Sequence, residues 1–363
     1  MARYLLYPFS LLYGLLVSIR NFLYDSKILH PHSFRVPVIS VGNLTVGGTG
    51  KTPHAEYLIS LLSKEFRVAY LSRGYKRKTR GFQLATLQST YLDIGDEAVQ
   101  IKQKFPDIMV AVCEKREKGI RHLIDRITPG AEVILLDDAF QHRSVEPDIN
   151  ILLIDYTRPV FDDHLLPVGR LREPARSRYR ANLIIYTKCP PKLSPIEQRI
   201  IKSGLDIRPY QDLFFTRIGY GEITPAEKGL SLFADDMRNY SVLLVTGIAH
   251  PMPLLEYLQG QVGQIVLKKY PDHYAYSEND MREIEASFRE LSSDKKLIIT
   301  TEKDLVRLKS VEHAPEGFFR NVYYIPIAVR FLDRARDAFN YRILNHVREN
   351  RSNSRVHQTK NRI

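Results

Sequence analysis

Residues 39–62 read ISVGNLTVGGTGKTPHAEYLISLL: a β-branched apolar run, a glycine-rich turn ending in Gly-Lys-Thr, and a segment with helical periodicity. This is the order of a phosphate-binding loop, in which backbone N–H groups of a tight turn surround phosphate oxygens and the next helix adds its dipole. The pattern G-x-x-x-x-G-K-[ST] asks for glycine at its first position, where this chain carries Thr45. Gly47, Gly48 and Gly50 keep the turn permissive, so the departure touches only its outer edge. The cradle is therefore expected from Thr45, Val46, Gly47, Gly48, Thr49, Gly50, Lys51 and Thr52. Lys51 would bridge the β- and γ-phosphates of a nucleotide, and the Thr52 hydroxyl would bind Mg²⁺.

Such a loop needs a carboxylate at the end of a neighbouring strand to help hold the metal. The segment AEVILLDDAFQH supplies one, an apolar run closing on Asp137 and Asp138. In DIGDEAVQIKQKF, Asp96 and Glu97 open a helix, where acids are favoured by the dipole alone. LIIYTKCP stands where a guanine-specific switch protein carries [NT]-K-x-D, but Pro190 replaces the base-reading aspartate, so guanine specificity is not expected. TTEKD near residue 301 has its lysine and aspartate at the wrong spacing to substitute.

Around the loop, short apolar runs alternate with helical segments, which predicts an α/β fold of parallel sheets covered by helices. Candidate strands are 36–41, 68–71, 133–136, 149–154 and 183–186; after an extended, glycine-broken stretch at 213–225, a second series follows at 242–245, 265–267, 297–300 and 322–325. A length of 363 residues fits two domains. The boundaries expected are a nucleotide-binding domain over 29–215, a linker with a smaller α/β domain over 216–330, a helix over 331–346, and a basic tail over 347–363 too poor in apolar residues to order. The two cysteines, Cys113 and Cys189, exclude a disulfide framework and a zinc site and fit a reducing, intracellular compartment. A net charge of +12 predicts an acidic partner. No nucleic-acid recognition motif accompanies the basic residues, so an anionic membrane or a phosphorylated substrate is expected instead.

Residues 4–19, YLLYPFSLLYGLLVSI, are nearly all apolar but a little short of the roughly 20 residues that a spanning helix needs. No small-x-small cleavage site follows, so a secretory signal is not expected. On a helix, Ser10, Gly14, Ser18, Asn21 and Asp25 form one narrow polar stripe among Leu, Phe and Tyr. That predicts a helix over 1–28 lying in a membrane interface; a helix packed on the protein's own core is the competing reading.

The motifs SVGNLTVGGTGKTP, LSRGYKR, GDEA, ILLDDAFQHR, DDHLLPVGRLREP and YPDHYAYS, in this order, closely resemble the tetraacyldisaccharide 4'-kinase family of lipid A assembly. The resemblance implies a P-loop kinase domain joined by a two-stranded linker to a smaller α/β domain. It implies ATP and Mg²⁺ as cofactors, and transfer of the γ-phosphate to the 4'-hydroxyl of a lipid A disaccharide 1-phosphate precursor. The setting it implies is the cytoplasmic face of the inner membrane, with a monomer as the expected state. It puts Asp96 on the family's catalytic base, His273 on the histidine paired with it, and Asp137, Asp138, Gln141, His142, Arg172 and Glu173 on active-site motifs. Glu97 joins Thr52, Asp137 and Asp138 as a candidate metal ligand. Arg73 lies just beyond a strand end, where ligands of α/β sheets gather, and is a candidate for holding the acceptor's phosphate. Ala139 stands where the family often has glycine, a change that matters only if the position needs a positive φ. The rival reading is a nucleotide-dependent switch or metallochaperone, distinguished by whether ADP formation requires a lipid acceptor.

Overall fold

The computed structural model describes residues 4–161, 163–227, 237–248, 250–272 and 274–360, with the side chains of residues 5–350. His273 lies outside the described residues. Helix α1 (Tyr7–Asp25) leads to β1 (Val38–Asn43), the glycine-rich turn and α2 (Lys51–Leu62). Next come β2 (Val68–Ser72), β3 (Gln83–Leu84), α3 (Tyr91–Ile94), α4 (Asp96–Lys104), β4 (Met109–Val112), α5 (Arg116–Arg121), β5 (Val133–Asp137) and β6 (Ile149–Asp155). They are followed by β7 (Leu183–Thr187), α6 (Pro195–Leu205), β8 (Asp212–Tyr220), β9 (Thr224–Pro225), β10 (Ser241–Thr246), α7 (Met252–Leu258), β11 (Gln264–Lys269) and α8 (Glu278–Arg289). The chain closes with β12 (Lys296–Thr301), α9 (Glu302–Leu308), β13 (Val322–Ile325), β14 (Ile327–Phe331) and α10 (Arg336–Lys360).

The strands form two sheets. The larger has nine strands in the order β14-β8-β7-β6-β1-β5-β2-β4-β3, and the smaller has five in the order β11-β10-β12-β13-β9. Both are parallel except at edges, where β14 runs against β8, β3 against β4, and β9 against β13. Every residue of β1, β5, β6 and β7 is buried, so these strands appear in the sequence as continuous apolar runs and need cover on both faces. Leu58, Ile59 and Leu62 of α2, Val99 and Ile101 of α4, and Phe339, Ile343 and Val347 of α10 cover one face; Ile120 of α5 and Leu123 just after it help cover the other.

Each strand predicted from the sequence is present, displaced by no more than a couple of residues. Residues 213–225, expected as extended segments broken by glycines, are mostly the long strand β8. β8 pairs with β7 from Leu183↔Asp212 to Tyr186↔Phe215, and with β14 from Ile327↔Tyr220 to Phe331↔Thr216. The chain therefore leaves the large sheet along β8 and returns along β14, and the boundary expected at 215/216 falls inside one strand. The C-terminal helix also differs, because α10 runs to Lys360 through most of the segment whose composition predicts disorder. Its buried first turns supply the nucleus, and a formed helix propagates at low cost.

Helix α1 turns its polar stripe inward. Ser10 Oγ donates to the Leu165 carbonyl at 2.9 Å and the Tyr13 hydroxyl to the Arg172 carbonyl at 2.8 Å. Gly14 lies so near Leu165 that a Cβ would stand 2.7 Å from its Cδ1. Arg20 and Asn21 donate to Glu173 at 3.0 and 3.2 Å, and Arg180 donates to it at 2.7 Å. The side chain of Glu173, a candidate substrate ligand, is wholly buried, and its oxygens anchor α1. Leu5, Phe9, Leu11, Leu12, Leu15, Leu16 and Phe22 point outward, each more than half exposed. Among the described residues no helix is long and apolar enough to cross a membrane.

Replacing Glu173 with alanine leaves Arg20 and Arg180 without their shared acceptor. Because Arg20 is partly solvated, the expected loss in urea unfolding is roughly 2–4 kcal/mol, at the low end for a broken buried pair. A loss below about 1 kcal/mol, the scale of an exposed pair, would contradict the anchoring role.

Candidate active site

The glycine-rich turn leaves β1 at the centre of the large sheet, and its conformation is set from behind. Gly47 and Gly50 have positive φ values of 107° and 87°, which side-chain-bearing residues rarely adopt. Lys188 Nζ donates to the Gly48 carbonyl at 2.5 Å, Thr187 Oγ1 to the Thr49 carbonyl at 2.9 Å, and His54 Nδ1 to the Gly50 carbonyl at 2.7 Å. In a planar trans peptide the N–H points opposite the C=O, so carbonyls tied outward turn the following amides inward. Thr45 is buried and forms a bridge with Leu171, and the Val46 amide donates to the Arg170 carbonyl at 2.8 Å. The missing first glycine is therefore absorbed at the loop's outer edge.

The acids converge because β5 pairs with β1, with Asp137 opposite Val41. Asp138 accepts both carboxylate bonds from Arg172 Nη1 at 2.9 Å, and Lys51 Nζ lies 3.6 Å away. Burial raises the Asp138 carboxyl, but Lys51 and Arg172 outweigh it and hold it below the ordinary range. Asp137 is pushed up to about 7, first by burial and then by the charge of Glu97, which the opposing charge of Lys51 does not offset. Its Oδ2 accepts from the Tyr70 hydroxyl at 2.7 Å, while its buried Oδ1 has no hydrogen-bond partner among the described residues. Asp138 has a positive φ of 46°, so the strained position next to Ala139 is the acid itself, and alanine is tolerated beside it. Glu97 Oε1 lies 3.5 Å from Thr52 Oγ1. Gln141 Nε2 donates to the Asn43 carbonyl at 2.8 Å and Oε1 faces Arg172.

The small sheet contributes a group that the sequence reading missed. Arg307 of α9 donates to Asp96 Oδ2 at 2.5 Å, and Lys303 Nζ lies 3.8 Å from the same oxygen and 3.9 Å from Glu97. The cationic spacing of Lys303 and Arg307, one helical turn apart, was visible in TTEKDLVR. Arg158 is a second omission: a Cβ on Gly47 would meet its guanidinium at 3.6 Å, and it is hydrogen-bonded to His250 of the small-sheet part. His142 faces Glu117 of α5 at 3.7 Å, and burial together with the charge of Arg116 lowers the proton affinity of its ring. Arg73 is exposed just beyond β2.

The sequence model of the tetraacyldisaccharide-1-P 4'-kinase family matches residues 2–348. The chain belongs to this family. It is 46% identical to the tetraacyldisaccharide 4'-kinase of Bacteroides thetaiotaomicron, over 98% of this chain and 96% of that protein. It is 44% identical to that of Flavobacterium johnsoniae, over 96% of this chain and 98% of the relative. The crystal structure of LpxK from Aquifex aeolicus in complex with ATP matches with a TM-score of 0.75 and 30% identity, covering 96% of this chain and 100% of that one. The chain is therefore a kinase of this family, and the switch or metallochaperone reading is not favoured.

The kinase loop carries its own pH dependence. A carbonyl can only accept, so His54 holds its proton on Nδ1, and Nε2 accepts from the Thr216 hydroxyl at 3.1 Å. Burial lowers this imidazole from 6.5 to about 4. Unfolded chains then bind the proton first as pH falls, so the stability contribution is complete above about pH 6.5 and is lost progressively toward pH 4. The melting temperature is expected to fall across that window, and His54→Gln to make the dependence shallower. An equally steep fall in the variant would assign the effect elsewhere.

Proposed function

We propose that this chain is an ATP-dependent kinase that phosphorylates the 4'-hydroxyl of a tetraacyldisaccharide 1-phosphate, working at the cytoplasmic face of an inner membrane. The observation that carries the reading is the loop with outward-tied carbonyls, with Lys51 between it and Asp138. The loop amides bind the β- and γ-phosphates, and the Lys51 ammonium follows the transferring group. The acceptor's 4'-oxygen attacks the γ-phosphorus, the bond to the bridging β–γ oxygen breaks, and ADP leaves with that electron pair. The hydroxyl proton passes to Asp96, with His273 proposed as its partner on the family resemblance alone. Arg172 orients Asp138 and Gln141, and Arg73 sits where an acceptor phosphate can be met.

The residues fit Mg²⁺. Asp137 Oδ1 is a buried carboxylate oxygen without a hydrogen bond, and the Thr52 hydroxyl and Glu97 lie beside each other. Among the described residues no three His, Cys, Asp or Glu side chains form a metal cage, and Mg²⁺ characteristically takes one or two carboxylates with phosphate and water. Thr52, Asp137, Asp138 and Glu97 are the candidates to hold it. When bound, the ion neutralises charge on the phosphate oxygens.

The inverted polarity of α1 supports a peripheral membrane position. Its polar stripe is consumed by contacts with the protein, which leaves the leucine and phenylalanine faces exposed on a protein of charge +12. Such a helix lies in the headgroup region and brings the site to a lipid acceptor.

Lys51→Ala is expected to lower turnover on the order of 10²- to 10³-fold with the fold retained, the effect of removing one preorganised donor. Activity within a few-fold of wild type would sink the loop assignment. Leu11→Glu with Leu15→Glu spares the buried stripe, so the protein should fold normally. Its binding to phosphatidylglycerol vesicles should drop on the order of 10²-fold in co-sedimentation. Unchanged sedimentation would leave α1 with a structural role only.

A further inference from the structure

We propose that Arg307, reaching across from the small-sheet part, is a positioning residue for Asp96, and that this carboxylate is aimed at the acceptor only while α9 is docked on α4. The inference rests on the reading of Asp96 as proton acceptor. Asp96 is the first residue of α4, and its Oδ1 accepts the neighbouring Glu97 N–H at 3.0 Å. Oδ2 accepts from Arg307 Nη2 at 2.5 Å. The guanidinium is itself held before it gets there. Arg307 Nη1 donates to Asp304 Oδ1 at 3.2 Å and contacts the Gly247 carbonyl at 3.4 Å. Asp304 is fully buried, accepting the Gly247 N–H at 3.0 Å and the Thr301 hydroxyl at 2.8 Å.

One arm of a planar fork is thus fixed to the frame of the small sheet, and the other fixes Asp96. A lysine offers a point charge on a flexible stem and has no such geometry. The two parts have another bridge, in which Lys104 joins Glu56 at 2.8 Å to Glu302 at 2.9 Å. That bridge lies at the opposite end of α4 and holds the parts together without touching Asp96. Burying the charges of Arg307 and Asp96 where α9 meets α4 is costly, and docking alone does not require it. What the Arg307 contact adds is the direction of one carboxylate.

The test measures kcat and the KM for ATP at saturating lipid acceptor for Asp96→Asn, Arg307→Met, Arg307→Lys and Glu302→Gln. Asp96→Asn should lose about 10²-fold or more in kcat. Arg307→Met should lose about 10- to 100-fold in kcat with the KM for ATP changed less than about threefold, the signature of misplacement rather than lost nucleotide binding. Arg307→Lys should fall between it and wild type, and Glu302→Gln, which breaks only the docking bridge, should stay within about threefold. Near-normal turnover of Asp96→Asn would overturn the base assignment and the inference with it. An impaired Asp96→Asn beside a wild-type kcat for Arg307→Met would overturn the inference alone, as would a Glu302→Gln loss matching that of Arg307→Met. If Arg307→Met does not fold, Arg307→Lys decides: a kcat lowered about threefold or more at unchanged KM supports positioning, and a wild-type kcat overturns it.

Discussion

The parallel pairing of β1 with β5 is the constraint on which the site depends. With Val41 opposite Asp137, the turn that leaves β1 and the acids that end β5 emerge side by side at the same edge of the sheet. β6 and β7, on the other side of β1, end in the residues that brace the turn: Asp155 accepts from Lys188 at 2.7 Å, and Lys188 and Thr187 hold the loop carbonyls. These strands are buried on both faces, so close packing of side chains on each side of the sheet holds the register that places the site.

Charge is distributed across the two sheets so that no acid in the cluster stands in the same environment as another. Asp138 is neutralised by Lys51 and Arg172 and stays ionised. Asp137, buried and shared only with the Tyr70 hydroxyl, resists ionisation until near neutrality. Asp96 is met by Arg307 and Lys303 from α9. Neighbouring carboxylates driven apart in this way take different tasks in one reaction, and phosphoryl transfer needs such a division between phosphate neutralisation and proton acceptance.

What was legible in the sequence follows from range. The turn at 45–52 and the run ending at Asp137 are contiguous, and their chemistry is written in neighbouring residues, so their roles in the fold were readable despite Thr45. The polar stripe of α1 was also readable as a stripe, and the structure supplied the surprise that it faces inward. Glu173 shows the limit of motif reading, since a motif places a carboxylate near a site without saying which cations claim its oxygens. Arg307 shows another limit. It lies 211 residues from Asp96, and TTEKD was weighed only as a base-recognition motif, a local question whose answer hid a tertiary role. The length of α10 was missed because composition measures the absence of a core, while an anchored helix needs one only at its start.

Transfer from a nucleotide held by the glycine-rich loop to a lipid acceptor is the core of this mechanism. It is tested most directly by following the label from γ-labelled ATP in the presence of purified protein and tetraacyldisaccharide 1-phosphate. The account predicts that label enters the lipid in step with ADP, as a monoester at the 4'-position, and that ADP formation nearly stops when the lipid is withheld. ADP formed at the same rate without the lipid, with the label released as inorganic phosphate, would contradict it.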